Sequence, residues 1–304
     1  MFADLLNQGG LSLDRLQSFC QVAEAGGGTK AAGGDPARQS LFSRQVKELE
    51  EFFGVELVRR KGRGVALTPA GERLHQLARE QLLALSDFKK SCQGQCSQIT
   101  LAAGDSVIQW AFLPKLQSIR DNLRNVSFRV LNLPTAEIIT RLRDGTVDLG
   151  LVRDGSVTPT LKASALGTLG FSLFVPTGLI SSPQQKELSA KVISSLPLAT
   201  LEGAGQFRQE LEKLAKRQKL SFNIQFEVSS FLQAARAVQT GKFAAILPSI
   251  AAAELQGADV VELKPEFLRA LSRRIVLAWN PRMARIRTVV SEAVTGFRAV
   301  TWFG

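Results

Sequence analysis

The sequence predicts an α/β protein in three parts: a small helical module closed by a β-hairpin, a long amphipathic helix, and a pair of α/β lobes. Three observations carry this. Apolar residues recur at helical spacing as far as Gly54, then alternate around a basic glycine turn. From Thr68 about two dozen residues keep helical spacing without a breaker. From Ser97 short apolar runs alternate with helical segments to the chain's end, the pattern of βαβ units and a largely parallel sheet.

The first helix opens at Ser12, a good N-cap, and runs through "LDRLQSFCQVAEA" with Leu13, Leu16, Phe19, Cys20 and Ala23 along one stripe. Cys20 on that stripe reads as core. A short second helix includes "TKAA", Thr29 to Ala32, and ends at "GGDP". The third helix lies in "ARQSLFSRQVKELEEFFG", where Leu41, Phe42, Val46, Leu49, Phe52 and Phe53 share the inward arc. Gln39, Ser40, Ser43, Arg44 and Lys47 share the opposite one. That outward side is basic and amide-bearing at first, then acidic at Glu48, Glu50 and Glu51, so an anionic partner would meet its N-terminal half. Three helices with a tight break before the third is helix-turn-helix order.

Next, "VELVRRKGRGVALTP" alternates as a hairpin, and a hairpin after a helix-turn-helix is a wing. Arg59, Arg60, Lys61 and Arg63 gather at its tip, within reach of phosphates beside a groove that holds the third helix. Thr68 and Pro69 start the long helix, which spans roughly 36 Å at 1.5 Å per residue. Such a helix most simply pairs with its own copy. His75 on it has Arg79 rather than a ligand four residues on, so it reads as a surface or interface side chain.

These segments divide the chain into residues 1–68, a helix and hinge over 69–96, and an α/β region over 97–304. That last region reads as one lobe over about 97–168 plus 279–304 and a second over about 169–278, with one strand and a long helix at the end.

Composition narrows the function. Net charge is +11, yet residues 1–95 hold 13 Lys+Arg against 11 Asp+Glu, while residues 96–304 hold 25 against 16. Local clusters therefore decide, not the total. One histidine and three cysteines are few for a metal or hydrolytic enzyme, so no catalytic or metal-ligating set is expected and no cofactor is implied. "MFADLLNQGG" does not read as a signal peptide, and no apolar run is long enough for a membrane span, so a cytoplasmic protein is expected. Cys92 and Cys96 lie four apart near the hinge, a spacing with poor disulfide geometry on a helix.

With these features together, the chain resembles the LysR-type transcriptional regulators over essentially its whole length. The matching residues are Leu16 to Phe19, "AEAG" from Ala23 to Gly26, Ala31 and Ala32, "RQSLFSRQVKELEEFFGVELVRR" and "LTPAGE". Gln39, Ser43, Val46, Leu49 and Glu50 fit the family's specific "Q-x-x-x-S-x-x-(I/V)-x-x-LE" pattern, and "LPKL", "LRDGTVDLGLV" and "TGKFAAILP" resemble its effector domain. Three departures stand out. Gly27 and Gly28 replace the usual Ser-Phe, Asp35 replaces a core Leu, and Arg38 replaces the Ser before Gln39.

The resemblance implies a winged helix-turn-helix that binds double-stranded DNA and a two-lobed, periplasmic-binding-protein-like domain that takes a small-molecule effector. It also implies a homo-oligomer, a dimer through the long helix and a tetramer built as a dimer of dimers. In a major groove, Gln39, Ser43 and Arg44 would approach bases, while Arg38, Ser40, Lys47 and the wing cations would hold phosphates. For the effector, hydroxyls at helix starts after successive strands mark Ser106, Thr135, Ser229 and Ser230, with Glu202 on the same rim. Asp105 and Glu202 would oppose a simple anion there. Two other classes fit part of the chain: a cytoplasmic solute-binding protein, and an enzyme using the α/β cleft, either with a degraded DNA-binding domain.

Overall fold

The computed structural model describes residues 5, 9–62, 64–181, 189–203, 205–257 and 259–303. It divides into two compact units, Met1–Ser97 with Arg282–Val289, and Gln98–Pro281 with Val290–Gly304.

In the first unit the helix ends are set by local chemistry. Helix α1 (Leu13–Ala25) begins where the Ser12 side chain accepts from the Arg15 N–H, and it ends at Gly26 in the left-handed conformation, φ 71°. Helix α2 (Gly28–Ala31) is a single turn. Helix α3 (Pro36–Phe53) starts under Asp35, whose carboxylate accepts from the N–H groups of Ala37 at 2.8 Å and Arg38 at 3.3 Å. Asp35 therefore works as an exposed N-cap, the role an acidic side chain takes at a helix start. The inward stripe is narrower than the arc read from sequence. Phe42, Val46 and Leu49 pack with Phe19, Val22, Ala32 and Leu57, but Leu41 at the arc's edge and Phe53 in the last turn are 40% and 37% exposed.

Strands β1 (Val58–Lys61) and β2 (Gly64–Leu67) pair antiparallel from Val58↔Leu67 to Lys61↔Gly64. Glu50 of α3 fixes where the hairpin starts, accepting from Leu57 N at 2.8 Å and Val58 N at 3.1 Å. Helix α4 (Pro69–Cys92) follows, with Thr68 accepting from Gly71 N. Leu77, Leu85 and Phe88 stay exposed along it. His75, expected at the surface or at an interface, is half-buried and faces α1, 3.8 Å from Glu24 and edge-on to the Phe19 ring.

Among the described residues the second unit holds two five-stranded sheets. In chain order come β3 (Ser97–Ala103), α5 (Asp105–Val107), α6 (Leu116–Asn122), β4 (Val126–Asn132), α7 (Thr135–Arg143), β5 (Leu149–Arg153) and β6 (Lys162–Leu169). Then come β7 (Phe171–Pro176), α8 (Ala190–Ser195), β8 (Pro197–Leu201), α9 (Gln206–Gln218), β9 (Asn223–Val228) and α10 (Phe231–Gln239). Next are β10 (Ala244–Pro248), α11 (Ala252–Leu255), β11 (Val260–Leu263) and β12 (Arg273–Trp279).

The sheet orders are β4-β3-β5-β12-β6 and β11-β7-β10-β8-β9. Two expectations change. The sheets are mixed rather than largely parallel, because β12 runs antiparallel to β5 and β6, and β7 runs antiparallel to β10 and β11. Strand β12 also belongs to the first sheet, not to the second lobe ending at 278. Its run "IVLA" is buried on both faces, which suits a strand flanked by β5 and β6.

The chain ends in two helices instead of one, α12 (Pro281–Ile286) and α13 (Thr288–Arg298), with Arg287 at the break. Arg282 Nε lies 2.8 Å from Glu80 Oε2 on α4, so α12 belongs with the first unit.

Candidate nucleic-acid interface and effector crevice

On α3, Arg38, Gln39, Ser40, Ser43, Arg44 and Lys47 are all exposed, because burying Phe42, Val46 and Leu49 turns the remaining arc outward. Among the described residues, the side chains of Gln39, Ser40 and Ser43 make no hydrogen bond, so their groups are open to a partner. Arg44 and Lys47 pair only loosely, at 3.7 Å to Glu48 and 3.8 Å to Glu51. Pairs this exposed are worth little. Glu48 is also engaged by Arg15 at 2.5 Å, which leaves Arg44 freer to leave it.

Arg59, Arg60 and Lys61 are exposed on β1. Strand periodicity puts Arg59 and Lys61 on one face and Arg60 on the other. Arg63 lies outside the described residues. Arg60 turns toward the glycine segment, where it and Lys30 line a cavity of about 300 Å³ with Gly27, Gly28 and Val65. A Cβ built on Gly28 meets nothing within 4 Å, so among the described residues no side chain packs against that position. Val65 N donates to Gly26 O at 3.0 Å and holds the wing to the end of α1 instead.

In the second unit, β3 and β5 are parallel, and Leu133 N after β4 donates to Ala103 O, so Ser106, Thr135 and Arg153 stand on one edge of the first sheet. Parallel β8, β9 and β10 bring Glu202 and Ser229 to one edge of the second. Helix α5 touches α10, and a π-helical turn over Ile108–Phe112 carries Trp110 into the second sheet's core beside Phe174, Ala199 and Val228. Trp110 Nε1 donates to Glu254 there. The two edges thus meet, and Ser106 is brought to the helix that Ser230 caps.

The five rim residues differ in how committed they are. Ser230 accepts from Gln233 N at 3.3 Å as an N-cap, and Ser229 Oγ donates to Gln233 Oε1 at 2.9 Å. The helices that begin at Asp105 and Thr135 are capped by Gly104 and Pro134 with no side-chain bond, and among the described residues the Ser106 and Thr135 hydroxyls have no partner. Glu202 is exposed, its N–H bonded to Val228 O.

Sequence reading missed the arginines farther along the same edge. Arg153 ends β5 and Arg273 begins β12, and both line a polar cavity of about 300 Å³ with Gln206 and Glu210 of α9. Arg273 Nη2 lies 2.6 Å from Glu210 Oε2, and its guanidinium sits over the rings of Phe171 and Phe207 at 5.4 and 5.9 Å. Burial, and then the charge of Arg273, hold the Arg153 guanidinium below the ordinary arginine range. The rule that selected Ser106, a polar residue just beyond an apolar strand, also fits Arg153 after "LGLV".

Two family models match this chain: "Bacterial regulatory helix-turn-helix protein, lysR family" over residues 13–72, and "LysR substrate binding domain" over residues 93–297. Among curated proteins, a probable nitrogen assimilation transcriptional activator of Synechococcus elongatus is 28% identical over 94% of this chain and 96% of its own. Among solved structures, ArgP from Mycobacterium tuberculosis superposes with a TM-score of 0.64 at 21% identity, covering 94% of this chain and 98% of that one. Full-length CbnR in complex with its target DNA gives 0.58 at 20% identity, over 95% and 99%. A DNA-binding helix-turn-helix joined to an effector-controlled α/β domain defines a class of transcriptional regulator. The chain belongs to the LysR family of that class. Among the described residues no helix is long and apolar enough to cross a membrane.

Proposed function

We propose that this regulator reads duplex DNA with Gln39, Ser43 and Arg44 at base edges, while Arg38, Ser40, Lys47, Arg59, Arg60, Lys61 and Arg63 hold phosphates. The observation that carries this is the outward face of α3, whose amide, hydroxyl and cationic groups are exposed and at most loosely paired. Glutamine matches adenine and arginine matches guanine in the major groove. The crevice of the second unit, with Ser106, Thr135, Glu202, Ser229 and Ser230 on its rim, is the effector site in this reading. Binding acts by favouring one arrangement of the lobes over another. Exposed Leu77, Leu85 and Phe88 on α4 support a dimer through that helix. The tetramer follows from the family resemblance, a cytoplasmic setting suits a DNA-binding regulator, and regulation rather than turnover is the activity proposed.

The test is binding of the purified protein to duplex DNA from upstream of its own gene, against a scrambled duplex, across a salt series. Selective binding that weakens steeply with salt is expected. Equal, weak binding to both duplexes would overturn the reading.

A further inference from the structure

The cavity at Arg153 and Arg273 holds more positive charge than its surroundings balance. Arg153 lies opposite Ile275 in the β5–β12 ladder, and Arg273 is two residues before Ile275, so both arginines project from the same face as diagonal neighbours. Arginine does not give up its proton in a protein, so the two charges oppose each other permanently. The carboxylates nearby are occupied. Glu210 gives Oε2 to Arg273 and Oε1 to the side-chain amide of Gln206, and Asp154 lies 3.7 Å from Arg274. Among the described residues the Arg153 side chain, half-buried at the strand end, makes no ion pair or hydrogen bond, and Glu210, whose charge favours it from farther off, is shared with Arg273. Arg273 Nε is buried without a hydrogen-bond partner. Three arginines against two carboxylates leave one positive charge in excess among the lining side chains.

The cavity's shape and polarity add to this. The 13-residue helix α9 starts at it, and its cap, Gly205, offers no side-chain acceptor to the first-turn N–H groups. A helix start of this kind favours negative charge. Ser156, Ser272 and Gln206 supply further polar groups, and about 300 Å³ fits a small molecule only. A planar carboxylate accepts two bonds from one guanidinium fork, which suits Arg153.

We propose that this cavity binds the carboxylate of a small hydroxylated monocarboxylic acid, with Arg153 as its anchor. The proposal rests on reading the crevice as the effector site, and it adds an anion subsite farther along the same sheet edge, lined by none of the five rim residues. It also accounts for a half-buried guanidinium whose nearby carboxylate is shared with Arg273: the ligand supplies a counter-charge of its own.

Thermal unfolding of the full-length protein tests it, with sodium glycerate and sodium lactate as probes, glycerol as the uncharged control and sodium phosphate as the competing anion, all at matched ionic strength. The midpoint is expected to rise with glycerate or lactate and not with glycerol, since a ligand of the folded state raises apparent stability. Arg153→Gln should unfold at a higher temperature than the parent without ligand, because an uncompensated charge is gone. It should also bind the carboxylate at least tenfold more weakly. If that variant does not fold, Arg153→Lys keeps the charge, loses the fork, and should show the same tenfold loss. No midpoint change with either carboxylate, an equal response in the Arg153 variant, or an equal rise with phosphate would each overturn the proposal. Binding of the same preparations to the upstream duplex separates the two readings. Selective DNA binding with no carboxylate response overturns the anion site alone, and a carboxylate response without DNA binding overturns only the regulator reading.

Discussion

Arg287 Nε lies 2.6 Å from Asp87 Oδ2, joining residues two hundred positions apart in the chain. Nη2 of the same guanidinium reaches Oδ1 at 3.4 Å, and the two side chains are only 3% and 14% exposed. The pair sits where α12 gives way to α13, and it packs that break against the linker helix α4. A buried pair is costly to break from one side, because the remaining charge loses its compensation. Asp87→Asn is expected to destabilise the protein by about 3–5 kcal/mol, while replacing both with apolar residues should cost far less. Urea unfolding of the two singles and the double would show it, and equal additive losses would contradict a coupled pair.

Two glycines should respond in opposite directions to alanine. Gly71 sits in the first turn of α4 so close to the hairpin that a Cβ would fall 2.0 Å from Leu57 O. Backbone cannot yield as a side-chain tip does, so Gly71→Ala should cost at least about 1–3 kcal/mol. Gly28 has open space and no positive φ, and Gly28→Ala should add roughly 0.4–1 kcal/mol by restricting the unfolded chain. Denaturant midpoints of both variants measure this directly.

The three thiols should separate by reactivity. Cys92 and Cys96 are exposed, and the second lies beyond the end of α4, so both are accessible. Cys20 is buried, and burial, reinforced by Glu24, pushes its thiol up to about 11. Two equivalents of an aromatic disulfide reagent should react promptly at neutral pH. The third should react only as the protein unfolds, and a fast third thiol would show that α1 packs differently.

The first unit was legible because its signals are local. Ser12, Gly26, Gly54 and the Thr68-Pro69 pair each mark a helix end by the chemistry of one or two side chains, and each helix ends within a residue or two of where they stand. The outward face of α3 is local in the same way, since one buried stripe fixes the other side. Strand β12 was not, because its place between β5 and β6 depends on pairing with residues more than a hundred positions earlier. Arg273 went unseen for the same reason, since only that register puts it on one face with Arg153, which the strand-end rule alone could have found. Asp35 looked like a lost core residue because its capping bonds are legible only once the helix start is known.

Acid should expose the contact between α1 and α4. The His75 imidazole, 3.8 Å away, is the main reason the Glu24 carboxyl is held below the usual 4.5, with Arg79 at 3.3 Å adding to the effect. The folded state therefore binds that proton less readily than the unfolded chain does. The resulting stability is present above the unfolded pKa and is lost as pH falls through the folded one. Glu24→Gln should flatten the stability curve below about pH 4.5 relative to the parent. Thermal midpoints taken between neutral and acid pH would reveal it, and parallel curves for the two proteins would refute it.

On the proposed DNA face, Arg44 and Lys47 lie one turn apart yet should fail differently. An arginine placed on a guanine edge discriminates between bases, so Arg44→Ala should weaken binding by about 1–3 kcal/mol on the preferred site and much less on a scrambled one. A lysine on a phosphate carries no sequence information. Lys47→Ala should weaken both duplexes alike and reduce the slope of log K against log salt by about 0.9, the share of one phosphate contact. Fluorescence anisotropy across a salt series reads both effects in one experiment. If Arg44→Ala lowered the salt slope and left selectivity intact, Arg44 would be the phosphate contact, and base reading would fall to Gln39 and Ser43, the uncharged groups exposed on the same face of α3.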